Sequence, residues 1–349
     1  MRHDFIFIDQ TLKCALRRGR IDITGFVRLK RQIKLIERVL FDLPLSLLPR
    51  SEDPVALDLH DVRLEIKPQI AQVHLAAALG CRQVKIKLTP ETSAEEMGPV
   101  LAAARKYGMR VTLRGIDIGR CPLADIDFYK RLAESRSFDH LIIDDCHSRL
   151  DPLATHGTLR EWRELLPAEP EYCGRNQLGL AAGNALGAVK SGVRRLMVSV
   201  GGVGGFPAWE EVGMGINRLL KLPLTVPTNL ALLCRDILAE IGVEVGAGKP
   251  IIGPQIFAHE SGIHVDGVYK RSELYEPFAP EDVGLARRII IGKHSGKAAL
   301  EAKLKELGFD PTAPDIPRIL EKVRQLAVAQ KAPVIDTQLR QLVKEVTLL

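Results

Sequence analysis

The strongest constraint on this chain is a rhythm. Eight short runs rich in aliphatic and β-branched residues recur along its first two thirds: FIFIDQ (5–10), PLSLL (44–48), VRLEI (62–66), QVKIKL (83–88), RVTLRG (110–115), LIIDDC (141–146), EYCG (171–174) and RLMVSVG (195–201). Between them, apolar residues at helical spacing fill 24–40, 68–79, 93–107, 125–136, 156–166, 178–191 and 208–220. Strands that alternate with helices pair in parallel, because each helix carries the chain back to the start of the next strand. Eight such units predict an α/β fold, a (β/α)8 TIM barrel, in which the C-terminal strand ends hold the candidate site. The link SEDPVALDLHD (51–61) is too short and too interrupted for a full helix, so one barrel helix is expected to be reduced or lost.

The rhythm stops near residue 225. A helical stretch, TNLALLCRDILAEIG, leads into a loop-rich segment with histidines and then into further helices. The expected division is a barrel domain over 1–224 and a linker with a small, mostly helical C-terminal subdomain over 225–349. A chain of 349 residues, 46% hydrophobic, has ample material for both cores.

The net charge of +6 arises from 49 basic and 43 acidic residues without a long basic run. That balance points to small anionic ligands, carboxylates or phosphates, and away from nucleic acid. Six scattered cysteines are too few for a disulfide scaffold in a chain of this length, and they predict a reducing, cytoplasmic setting. No segment approaches the roughly 18 consecutive apolar residues of a membrane span, and MRHDFIFIDQTL does not read as a signal peptide.

Chemistry concentrates at two places. In PEYCGRNQLGLAAGNALGA (170–188), Cys173 and Arg175 stand two apart at the end of a strand and so point the same way. Further on, AHESGIHVDGVYKRSELYEPFAPEDVG is followed by RRIIIGKHSGK. These runs closely resemble the linker and C-terminal subdomain of homocitrate synthases, above all the short nitrogen-fixation type, and of isopropylmalate synthases. The barrel resembles the same family less faithfully, from IDQTLKCALRRG to GRNQLGLAAGNALGAVKSGV.

The resemblance implies a Claisen-type condensation of acetyl-CoA with a 2-oxo acid, helped by a divalent metal that chelates the keto acid. It implies an Arg-Asp-Gly turn at strand one, a His-x-His pair at strand seven and an asparagine after strand eight. Carried over by position, these places hold Lys13, Cys14 and Ala15, then Cys173 and Arg175 with Gln177 after them, and Phe206. Hard oxygen and imidazole ligands for Mg²⁺ or Mn²⁺ are therefore missing from the carried-over positions, and no cofactor is expected. Other family positions persist. Asp117 stands where the family has a strand-five glutamate, and His264 and Tyr275 match a histidine and tyrosine assigned to proton transfer, so these three are the catalytic candidates.

Three readings of the altered mouth remain open. The barrel could be inactive alone and serve as a partner or regulatory subunit, as a homodimer or as a heteromer with an active homologue, whose mouth its subdomain would cover. Alternatively, Lys13 and Arg175, facing one another across neighbouring strands one and seven, could hold a 2-oxo or dicarboxylic acid, with Ser199 a third substrate-binding candidate. In the third reading, Cys14, Cys146 and Cys173 gather as ligands for zinc or an iron–sulfur cluster. A different chemistry, a Schiff-base aldolase, would need a desolvated lysine, for which Lys85 or Lys87 is the candidate. GGVGG (201–205) reads as a turning loop and not a phosphate cradle, GKHSGK (292–297) as either a CoA contact or a helix start, and only one of Asp144 and Asp145 can face the barrel interior.

Overall fold

In the computed structural model the described residues are 5–48, 57–89, 92–117, 127, 129–131, 138–166, 168–260, 271–310 and 315–347. Eight parallel strands close a barrel in chain order: β1 (Ile6–Asp9), β2 (Val39–Pro44), β3 (Val62–Ile66), β4 (Gln83–Lys87), β5 (Arg110–Asp117), β6 (His140–Asp144), β7 (Glu169–Cys173) and β8 (Arg195–Val198). β8 returns to pair with β1. The expected TIM barrel is therefore present.

One strand is displaced from its expected place. β2 is VLFDLP and not PLSLL, because helix α2 (Ile23–Ile33) stops well short of residue 40. Ile33, Ile36 and Leu40 keep a helical spacing that masks the change of element. All six residues of β2 are buried, Pro44 closes it by lacking a ladder donor, and Leu45–Leu47 is a single 3₁₀ turn. The described residues between β2 and β3 hold only this turn and a second one at Leu59–Asp61, in keeping with a reduced helix.

Three of the outer helices start where side chains satisfy their orphan donors. Asp22 accepts from the Gly25 amide at 2.7 Å ahead of α2, and Ser93 with Glu96 forms a reciprocal capping pair at α4 (Ala94–Lys106), which follows α3 (Ile70–Ala78). Asp151 caps α5 (Pro152–Leu165), and α6 (Ala181–Lys190) follows β7. A short α1 (Thr11–Arg17), absent from the sequence expectation, begins directly after β1. Phe7 of β1 points outward and meets Trp209 of α7 (Trp209–Met214) edge to face, at 5.4 Å between ring centres. The helix expected over 125–136 lies largely outside the described residues.

Inside the barrel the strands turn charges toward one another. Arg63, fully buried, donates through Nε to Asp42 at 2.6 Å and through Nη1 to Glu171 at 2.7 Å and to Thr112 at 2.9 Å. Glu171 also takes Arg195 Nε at 2.7 Å, while Lys85 pairs with Asp42 and, at 2.8 Å, with Glu65. Arg114 completes the set by pairing with Asp144 at 2.6 Å. Arg63, Lys85, Arg114 and Arg195 thus face Asp42, Glu65, Asp144 and Glu171, four charges against four.

The chain divides into two compact units: 1–226 with 232–245, and 227–231 with 246–349. Helix α8 (Leu230–Glu240) therefore passes from one unit to the other. In the second unit, the two-residue strands Ala258–His259 and Arg288–Ile289 pair in parallel. Helices α9 (Lys297–Glu306), α10 (Ile316–Gln330) and α11 (Asp336–Thr347) close over Leu300, Leu304, Ile319, Val323, Leu339 and Val343. Among the described residues no helix is long and apolar enough to cross a membrane.

A buried ion pair is costly to break from one side, because the abandoned partner keeps its desolvation penalty. Glu171→Ala leaves Arg63 with Asp42 alone and Arg195 with no carboxylate. It is expected to lower stability by about 3–5 kcal/mol in urea unfolding, and an unchanged midpoint would show that the network adds nothing.

Candidate functional site

The site is built where β1, β7 and β8 end. Asp9 closes β1 and turns its carboxylate onto the start of α1, accepting the Leu12 amide at 2.9 Å. That places Lys13 and Cys14 on the first turn of α1, above the barrel axis. Lys13 is buried and donates to Gln10 Oε1, and Gln10 in turn reaches Asp42 at 3.4 Å. Gln10 thus joins the mouth to the charged interior.

After β8 the chain runs through VGGVGG, two 3₁₀ turns in which Gly201, Gly202, Gly204 and Gly205 all have positive φ, between 65° and 74°. A side chain at Gly204 would also collide with Cys14, since a Cβ there would lie 2.6 Å from Sγ. The loop delivers Phe206 into the barrel mouth, where its ring packs with Ile8, Leu40, Ile142, Cys173 and Met197. The Arg175 guanidinium lies over that ring, 3.7 Å from its centre, and Lys13 Nζ is 5.2 Å from it. Arg175 also donates to the Gly204 carbonyl at 3.2 Å. GGVGG is therefore a turning loop, and the mouth is an aromatic ring seated on an apolar floor with two cations against it.

Lys13 and Arg175 gather at the same ring, though not across neighbouring strands. β8 lies between β1 and β7, and the Phe206 ring fills the space that adjacency would have closed. Among the described residues Arg175 is paired with neither Asp9 nor Asp145, and the Asp117 side chain, the other acid in reach by sequence, lies outside them. Asp145 accepts from the Arg149 amide at 2.8 Å and the Leu150 amide at 3.2 Å, while Asp144 is the one that faces inward, to Arg114. Ser199 is fully buried and spends its hydroxyl on the Val203 carbonyl at 2.9 Å, so it shapes the loop and presents no group to a substrate. Lys85, the aldolase candidate, is locked between Asp42 and Glu65, so its Nζ is engaged by two carboxylates and not presented to a substrate. Lys87, the other candidate, is exposed and lines a cavity of about 750 Å³ at the same end of β2–β4, together with Glu65.

The remaining candidates fall elsewhere. Asp117 ends β5 opposite Asp144 in the strand register, and its side chain lies outside the described residues, as does all of His264. Tyr275 belongs to the C-terminal unit, where it follows the turn Ser272–Leu274 and is exposed. In GKHSGK, Ser295 Oγ takes the Gly292 amide at 2.9 Å and folds the turn before α9. Lys297 pairs with Glu301 on that helix, which favours the helix-start reading.

Electrostatics follow from burial. Burial pushes the Cys173 thiol up to about 12, with Asp144 adding to it, and burial raises Cys14 as well. Burial, and then Lys85, pulls Lys13 down to about 8. Burial also raises Asp9 to about 6. For Asp42 burial acts the same way, but Arg63 and Lys85 reverse it and hold this carboxyl far below the usual range. Protonated thiols and fixed cations do not fit a hard divalent ion, so no step is drawn through one. Nor are Cys14, Cys146 and Cys173 gathered for a soft one: among the described residues no three His, Cys, Asp or Glu side chains converge as a metal site. None of the described cysteines is in a disulfide.

Residues 52–235 match the HMGL-like family, and residues 251–331 match the homocitrate synthase post-HMGL domain-like family. The chain is 35% identical over 269 residues to 2-isopropylmalate synthase 2 of Caldanaerobacter subterraneus subsp. tengcongensis, covering 75% of this chain and 69% of that one. It is 31% identical over 294 residues to homocitrate synthase 1 of Nostoc sp., covering 82% and 77%. The chain belongs to the homocitrate and isopropylmalate synthase family. An HMG-CoA lyase from Acinetobacter baumannii shares the fold, with a TM-score of 0.54 and 13% identity over 70% of this chain and 93% of that one.

Within this condensing-enzyme family, the mouth described above combines residues that sequence reasoning named one by one with others it passed over. Phe206 stood out only as a missing asparagine, and Gln10 and Asp42 were not considered. The signal was available for Asp42: a lone acid inside an apolar run, on the face that alternation turns inward.

The lowered Lys13 gives a test with a defined sign. Between about pH 8 and its ordinary 10.5 the unfolded chain binds a proton that the folded chain has released. The contribution of Lys13 to stability should therefore rise with pH across that window, against the opposite contribution of the raised Cys173 thiol above about pH 9. Lys13→Met is expected to remove this rise when urea unfolding is followed as a function of pH. The same slope in both proteins would place Lys13 in water.

Proposed function

We propose that this family member does not itself condense acetyl-CoA with a 2-oxo acid and acts as a partner or regulatory subunit in the cytoplasm, as a homodimer or beside an active relative. The observation that carries the reading is Phe206 clustered with Cys173 in the apolar group at the mouth, with Lys13 and Arg175 both against its ring. Condensation in this family needs an electrophilic keto carbon, and the divalent ion implied by the family resemblance has no suitable donors at these positions. Two cations beside the ring oppose a further positive charge there. A partner role draws support from the C-terminal part, which matches the homocitrate synthase post-HMGL domain over 251–331 and so carries the element through which the family resemblance implies association. Homocitrate formation for nitrogen fixation is the process nearest to this resemblance.

A second reading rests on one observation: among the described residues neither Lys13 nor Arg175 is ion-paired with a carboxylate. A 2-oxo acid or dicarboxylate could supply that partner once the ring moved aside, and the protein would then bind substrate without a metal.

The first reading is tested by thiol release from acetyl-CoA with a panel of 2-oxo acids, with and without Mn²⁺, on the purified chain alone. No release is expected in either condition. Release that depends on Mn²⁺ would overturn it, and release without metal would favour the second reading. Mixed with an active relative, the chain should co-purify and change its turnover; failure on both counts removes the partner role.

A further inference from the structure

A second cavity, of about 530 Å³, opens at the opposite end of the barrel. Its wall includes the first residues of five strands: Ile6, Val39, Gln83, Arg110 and Arg195, from β1, β2, β4, β5 and β8. The N-terminal end of such a barrel ordinarily serves stability and is filled accordingly. Here it holds a space of the size that small-molecule sites occupy.

Among the described residues the charges around it are not balanced. Asp61 is taken by Lys34 at 2.6 Å and by Lys30, and Lys30 also approaches Asp58 at 3.6 Å. Arg38 and Arg110 line the cavity, and among the described residues neither side chain is paired with a carboxylate. Beneath them is Arg195, its side chain 4% exposed. Its Nε is bound to Glu171, but its Nη2 is buried and has no acceptor among the described residues. A buried guanidinium N–H without a partner carries a desolvation cost that an incoming anion would remove.

We propose that this cavity binds a small organic dianion, carrying either a phosphate or two carboxylates, between Arg38 and Arg110 and over Arg195. Guanidinium groups grip both kinds of anion through paired N–H donors, and two unpaired ones match two negative charges. The site is independent of the barrel mouth and of whether that mouth condenses anything.

Titration calorimetry of the full chain with inorganic phosphate and, separately, with malonate tests this. Saturable binding of at least one probe is expected. Arg38→Ala and Arg110→Ala, both at exposed positions, should each weaken it about tenfold or more, with unchanged circular dichroism. Arg175→Ala, at the other end of the barrel, should leave it intact. Preference for phosphate assigns a phosphorylated ligand, and preference for malonate assigns a dicarboxylate. No saturable binding of either probe, or binding lost in Arg175→Ala but kept in both floor variants, overturns the proposal.

Discussion

The barrel is organised around a guanidinium removed from water. Arg63 can sit at full burial only because Asp42 and Glu171 approach it from β2 and β7, with Thr112 reaching it from β5. Such an arrangement gives little net stability compared with a well-packed apolar core, but it is unforgiving: each carboxylate must arrive at its own height on its own strand. A slip of one residue in any of these strands would turn a charge outward and strand its partner. The interior therefore fixes the register of the barrel more strictly than aliphatic side chains alone would.

That charged interior also sets the mouth above it. Asp42 is held ionised by Arg63 and Lys85, and Gln10 hangs from it and accepts from Lys13. Burial, and then repulsion from Lys85 below, lowers the affinity of Lys13 for a proton, and Gln10 offers it only a neutral acceptor. The ring of Phe206 offers the remaining compensation, the negative face of an aromatic quadrupole, shared between Lys13 and Arg175.

The fold was legible because parallel βα units leave a mark at every repeat, and seven of the eight strands share most of their residues with the runs that named them, while β2 shares only Pro44. β2 was misplaced because VLFDLP continues a helical spacing from the preceding segment, while PLSLL beyond it is equally apolar. The mouth was legible in identity but not in arrangement: sequence position puts Lys13, Cys14, Cys173, Arg175 and Phe206 at strand ends without saying that a ring would come between two cations. The interior network escaped for a more general reason. VRLEI, QVKIK and RVTLR alternate apolar and charged residues, the pattern of a strand with one wet face. Only closure of the sheet reveals that the charged face is the enclosed one.

Cys14, Cys173, Arg175 and Phe206 at the mouth form one contact system. Cys14 lies under Gly204, close enough that the loop needs a glycine there, and its thiol approaches the Val203 carbonyl at 3.9 Å. A carboxylate at position 14 would set an ionised oxygen against that carbonyl in a site where burial already raises Asp9. Imidazoles at 173 and 175 would remove the apolar floor beneath Phe206 and the guanidinium that lies over it. A substitution at any one of these positions therefore works against the loop, the ring or the neighbouring cation. A mouth of this kind changes as a unit, while the ion pairs below it keep the barrel in register.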